Sequence, residues 1–179
     1  LDLWPQSSHA WLRPSAVRDI LQALAEALSL AAPERRAQIS KALAQSLTDS
    51  EAVEHAWRKA LTPYRRTGVI MQHNAWQALM DDYKVPVWSV LESHHHGDNI
   101  RPHRLEAALA QLRSHPEALL WGNQQHANRG LQWLQQHAAN KSSATLLLLD
   151  PLGDCGNTWL QLMHNNLSIL AGHAGSSTP

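Results

Sequence analysis

GVIMQHNAW, residues Gly68 to Trp76, decides how this chain is read. A glycine opens it, the apolar Val69, Ile70 and Met71 follow, and the run empties through Gln72 into His73 and Asn74. An apolar run this short fits a strand buried on both faces. Three more runs of the same kind come later: VPVWSV (Val85 to Val90), ALLWG (Ala118 to Gly122) and TLLLL (Thr145 to Leu149). Helical spacing separates them, over Trp76 to Tyr83, His103 to Leu112 and Ala127 to Ala138, and a last amphipathic segment covers Thr158 to Leu170. Alternating strands and helices predict right-handed crossovers. The expected fold is therefore α/β, a mostly parallel four-stranded sheet flanked by helices.

Upstream of Gly68 the spacing is helical. Pro14 suits a first helical turn, and Val17, Ile20, Leu21, Leu24 and Leu28 recur at steps of three and four as an apolar stripe. Pro33 starts a second helix, which Ile39, Leu43, Leu47, Val53 and Trp57 carry to Leu61 before Pro63 stops it. Two long antiparallel helices are expected. The resulting division is an N-terminal motif and helical pair over 1–63, an α/β lobe over 64–171, and a flexible tail over 172–179, all within one compact domain.

Composition narrows the function. Hydrophobic residues make up 44% of the 179, enough for a sizeable core. Fifteen Lys and Arg balance fifteen Asp and Glu, so no basic surface invites a nucleic acid. The longest apolar run, Ala144 to Leu149, is far short of the roughly 18 residues of a membrane-spanning helix. The opening residues show no signal-peptide pattern, which leads to the expectation of a mature or trimmed chain. Cys155 is the single cysteine and excludes an internal disulfide. Twelve histidines, eight tryptophans and no phenylalanine are the unusual counts, and the histidine excess points to metal handling.

In a parallel α/β sheet, ligands bind beyond the carboxyl ends of the strands, where the loops converge. Each predicted strand empties there into polar residues. His73 and Asn74 follow the first, Glu92 and then His94, His95, His96 and Asp98 the second, Asn123 to His126 the third, and Asp150 the fourth. His9, in SSHAWLRP before the first helix, is a candidate distant arm of the same site. Imidazole and carboxylate together suit Zn²⁺. Each also has a plainer reading: His73 as a turn histidine, Asp150 as a cap for the turn at Pro151, and His94 to His96 as a solvated loop that gathers metal. His55, His103, His115, His137 and His164 read as surface residues, and Trp76 and Trp133 as core. A three-ligand zinc site is also the skeleton of a metallohydrolase. No HExxH, GxSxG or Cys–His nucleophile arrangement occurs, so the chain is expected not to be an enzyme.

Three landmarks carry a family resemblance: HxWLxP ahead of a long helix (His9 to Pro14), a strand ending in His73-Asn74-Ala75-Trp76, and a later strand ending in LDPLG (Leu149 to Gly153). The chain resembles the ZnuA-like zinc and manganese solute-binding proteins of ABC transporters, the group also termed cluster A-I, from about Leu3 to Leu170. The resemblance implies two α/β lobes joined by a long helix, of which this sequence matches the joining helix and the carboxyl-terminal lobe. It implies metal ligands at His9, His73 and Asp150, while the family's remaining histidine, on the amino-terminal lobe, has no counterpart here. His94, His95 and His96 are candidates to replace it. The implied function is binding zinc, rather than manganese, and delivering it to an ABC permease in the periplasm or at the extracytoplasmic surface. An exposed three-ligand site also implies a metal-bridged homodimer. The alternatives are a half-size metal chaperone or sensor, or an adhesion-associated surface protein.

Overall fold

The computed structural model of the chain describes residues 9–92, 100–138 and 144–176. Its first half is a helical hairpin. A 3₁₀ turn over Ala10–Leu12 leads into α1 (Pro14–Ala31), and a second over Pro33–Arg35 leads into α2 (Arg36–Leu61). Each proline sits at the start of its turn or helix, where its missing N–H removes no hydrogen bond. The pair is antiparallel. Arg18 of α1 bridges to Glu54 of α2 at 3.0 Å, and Ser50 Oγ reaches the Pro14 carbonyl.

The expected apolar stripe on α1 is buried only near its base. Val17 is in the core, but Leu24, Leu28 and Leu30 are 52%, 45% and 72% exposed. The physical reason is reach: at about 1.5 Å per residue these helices outrun the short strands beneath them. α2 accordingly buries Ser50, Val53, Trp57 and Leu61, all from its second half.

After the short α3 (Tyr64–Thr67) the chain alternates. β1 (Val69–Met71), α4 (Gln77–Tyr83), β2 (Val87–Val90), α5 (Pro102–Ser114), β3 (Leu119–Asn123), α6 (Arg129–His137) and β4 (Leu146–Leu149) follow in turn, and α7 (Trp159–Ser176) ends the described chain. α7 runs six residues beyond Leu170, where the sequence periodicity ends it, so 172–176 are helical. The sheet order is β2-β1-β3-β4, and every pairing is parallel.

Alternation along the strands divides the core in two. Val69, Met71, Leu119 and Trp121 face a layer built with α2, α4 and α7, whereas Ile70 and Leu120 face one built with α5 and α6. Both central strands, β1 and β3, are fully buried. That is why their sequences read as continuous apolar runs rather than alternating ones. Among the described residues, no helix is long and apolar enough to cross a membrane.

Gly68 makes the entry to β1 possible. Its φ of 70° and ψ of −171° lie in a region that only glycine occupies readily, and a Cβ there would sit 2.7 Å from the Pro86 carbonyl and against the Trp88 indole. Gly68→Ala should therefore lose about 2–4 kcal/mol of stability, measured as a lowered midpoint in urea unfolding.

Candidate metal centre

Strand order brings the site together. From β1 the chain passes to β2 on one side, then crosses back over β1 to β3 on the other. The helices after β1 and β3 consequently lie on opposite faces, α4 on one and α6 on the other. A crevice opens at such a switch point, beyond the carboxyl ends of the two strands. His73 leaves β1 there. His126 leaves β3 there, and the two rings stack with centroids 6.1 Å apart.

His9 arrives from the other end of the sequence. Its ring centroid lies 5.4 Å from that of His73, nearly edge-on, and both residues are buried, at 8% and 3% exposure. Three contacts hold His9 there. Its own ring packs on Trp11 at 5.4 Å. Trp11 Nε1 donates to the Pro151 carbonyl at 2.8 Å, and the Trp11 carbonyl accepts from Trp159 Nε1 at 2.7 Å. Arg13 then forks onto Asp82 of α4, with Nε to Oδ2 at 2.9 Å and an Nη to Oδ1 at 2.7 Å, and Ser15 adds a bond to the same carboxylate. Hydrogen bonding to Asp82 raises the Arg13 pKa and keeps the guanidinium charged. The loop before α1 is thus tied both to the helix that follows His73 and to the turn that follows β4.

Asp150 ends β4 and does cap its turn. Its Oδ1 accepts from the Leu152 and Gly153 amides at 2.9 and 2.8 Å and from Gln125 Nε2. Among the described residues its Oδ2 accepts no hydrogen bond. Asn166 of α7, fully buried, clamps the Asp150 backbone from below: Oδ1 accepts from its N–H and Nδ2 donates to its carbonyl, both at 2.8 Å. Trp11 links this turn to His9, through its Nε1 bond to the Pro151 carbonyl and its ring packing on the imidazole. Among the described residues, no three His, Cys, Asp or Glu side chains are already gathered closely enough to hold an ion. His94, His95 and His96 lie outside the described residues.

Two residues enter the site beyond His9, His73 and Asp150: His126, and Glu92, whose Oε2 is 3.9 Å from His73 Nδ1. Asn128 shapes the loop carrying His126. It holds a left-handed backbone with φ 45°, accepts from the Asn123 amide, and donates to the Asn123 and His126 carbonyls. The other histidines named from sequence fall elsewhere. His55, His103, His137 and His164 are exposed. His115 stacks on Trp88 at 3.6 Å and His137 on Trp133 at 4.1 Å. Trp76 is core, as expected, and Trp133 is half-buried against the second core. Asn128 and Asn166 escaped the sequence reading, although an Asn one turn after Leu162 and one before Leu170, in the middle of an apolar stripe, was a visible signal.

An α/β lobe with a histidine pair at its switch point is the class of protein the geometry defines. The chain belongs to the family described as the periplasmic zinc-uptake complex component A, or ZnuA, whose model matches residues 6–172. No curated protein matches it in sequence. Among solved structures it is similar to a ZnuA, with TM-score 0.75 and 20% identity over 93% of this chain and 60% of that one. It is also similar to the periplasmic zinc-binding protein TroA of Treponema pallidum, with TM-score 0.75 and 14% identity over 92% and 62%. Fe(III)-bound YtgA of Chlamydia trachomatis gives 0.77 and 14% over 98% and 67%. The chain thus spans about 60% of the length of the first two.

Removing the Asn166 clamp tests how the β4 turn is held. Asn166→Ala leaves the part-buried N–H and carbonyl of Asp150 without their clamp, which should lose up to about 2–6 kcal/mol at about 1–3 kcal/mol per unsatisfied group, read from urea unfolding.

Proposed function

We propose that this chain binds a divalent metal ion, zinc in preference to manganese, as the cargo of an ABC permease, and that it works in the periplasm or at the extracytoplasmic surface. The observation that carries the reading is the buried pair of imidazoles, His9 and His73, brought within 5.4 Å from positions 64 residues apart. Burying two imidazoles face to edge beside a carboxylate has little structural benefit, and it suits an ion that replaces water with nitrogen donors. In this reading His9 and His73 supply nitrogen, Asp150 supplies Oδ2, and the His94 to His96 segment supplies auxiliary capture.

Imidazole is a borderline donor, which favours zinc over the harder manganese ion. The similar structures include zinc-bound, Mn-bound and Fe(III)-bound proteins, so the choice of ion here rests on this chain's own donors. In this reading an ion held by three ligands would take its fourth from a second copy, giving a metal-bridged homodimer.

Calorimetric titration with zinc at pH 7.5 tests the assignment. His9→Ala and His73→Ala should each weaken binding by about 100-fold or more, beyond the roughly 10–100-fold of lost outer-shell partners. Asp150→Asn should weaken it while the turn caps survive, because an amide oxygen can still accept from Leu152 and Gly153. Lowering the pH to 5.5 makes protons compete for the imidazoles, whose ordinary pKa is about 6.5, and affinity should fall by about tenfold per histidine ligand. Identical affinity in wild type and His73→Ala would end this reading.

A further inference from the structure

A chain of hydrogen bonds runs from the start of α6 to Glu92, beside His73. The Leu131 amide donates to Gln72 Oε1 at 3.3 Å, and Gln72 Nε2 donates to Glu92 Oε1 at 2.7 Å. Glu92 Oε2 then stands 3.9 Å from His73 Nδ1. The backbone fixes the same neighbours, since the Glu92 amide donates to the Gln72 carbonyl at 2.8 Å. Gly130 permits the close approach: a Cβ there would come within 2.6 Å of Leu91 and Ile100 and 3.3 Å of Gln72 Oε1.

The direction of every bond in this chain is forced. The Leu131 amide can only donate, so the Gln72 carbonyl oxygen must face it and the Gln72 NH₂ must face Glu92. Glu92 therefore has to accept through Oε1. Its Oε2 is buried, accepts from no group among the described residues, and faces the imidazole. At 3.9 Å the contact with His73 is electrostatic rather than a formed hydrogen bond. An acceptor-only oxygen at that range favours the ring proton on Nδ1 and leaves the lone pair on Nε2.

We propose that Glu92 is a positioning residue, holding His73 in its Nδ1–H tautomer so that Nε2 is presented to the ion. Carboxylates commonly orient metal-binding histidines in this way. The consequence for affinity rests on the metal-binding reading of His73 given above; the tautomer does not, because it exists without metal.

The test exploits the forced directions. In Glu92→Gln, position 92 must still accept from Gln72 through its single carbonyl oxygen, which turns its NH₂ towards the imidazole. The His73 proton should then move to Nε2. Exchanging the two side chains, Gln72→Glu with Glu92→Gln, puts a carboxylate at position 72 that accepts from both the Leu131 amide and the side-chain NH₂ at position 92. The side-chain oxygen at position 92 then faces the ring, and the Nδ1–H tautomer should return. Long-range ¹H–¹⁵N correlation spectra of the metal-free ¹⁵N-labelled protein at about pH 8, above the ordinary imidazole range, report the tautomer, with His73→Ala assigning the signal. Zinc titration should show an affinity loss of about 10–100-fold in the single variant and recovery of most of it in the exchange. An Nε2–H tautomer in the wild type, an Nδ1–H tautomer unchanged by Glu92→Gln, or a folded exchange variant indistinguishable from the single one overturns the proposal. Wild-type protein that binds no zinc overturns the functional reading instead, and the metal-free spectra still decide the role of Glu92.

Discussion

Three buried tryptophans set the geometry on which the rest depends. Trp76 lies in the turn immediately after His73, where it stacks on Trp57 of α2 at 5.6 Å and meets Trp121 of β3 edge-on at 5.9 Å. None is more than 1% exposed. The contact joins the long helix, the exit of β1 and the neighbouring central strand in one rigid unit. Their indole N–H groups find no acceptor among the described residues, so apolar burial and ring packing hold the stack. Each aromatic pair adds about 0.5–1.5 kcal/mol beyond its buried area. With no phenylalanine in the chain, tryptophan carries nearly all of this work. His73 inherits a fixed direction because the residue three positions on cannot move.

Around that unit, buried amides rather than charges hold the loops of the crevice. Asn166 clamps Asp150, Asn128 closes the β3 exit, and Gln72 spans from α6 to Glu92. Where a strand ends, its backbone N–H and carbonyl groups lose their ladder partners and still require partners. A side-chain amide offers a donor and an acceptor together and adds no buried charge. A strong ion pair of this region, Arg13 with Asp82, is left partly exposed, at 29% and 25%, where desolvation is modest.

The same lobe architecture holds different metals in similar structures, zinc in one, Mn in another and Fe(III) in a third. The fold therefore supplies a place, and the donors facing it supply the choice. In the proposed reading the donors here are mainly imidazoles, with Glu92 aimed at a histidine and the Asp150 Oδ1 occupied by its own turn. Such a set is soft for a carboxylate-bearing crevice, and it characterises this chain more than any feature of the sheet does.

The local code was legible in the sequence. Gly68, Pro14, Pro33 and Pro63 punctuate it, and every strand and helix expected from periodicity is present within a few residues. Burial on both faces writes continuous apolar runs, and helices write a period near 3.6. The exits at His73, Glu92, His126 and Asp150 could likewise be read as a set. Which exits meet could not, because strand order is not a periodic signal. β1 and β3 are neighbours only in the folded sheet, as are His73 with His126 and His9 with His73. The exposure of Leu24 and Leu28 was hidden for a related reason: a stripe shows which face of a helix is apolar, not how far the layer beneath it extends. The sequence alone determined the elements and the chemistry available at their ends. Tertiary packing decided which of those ends face one another, since distances across a sheet depend on contacts between residues that the chain keeps far apart.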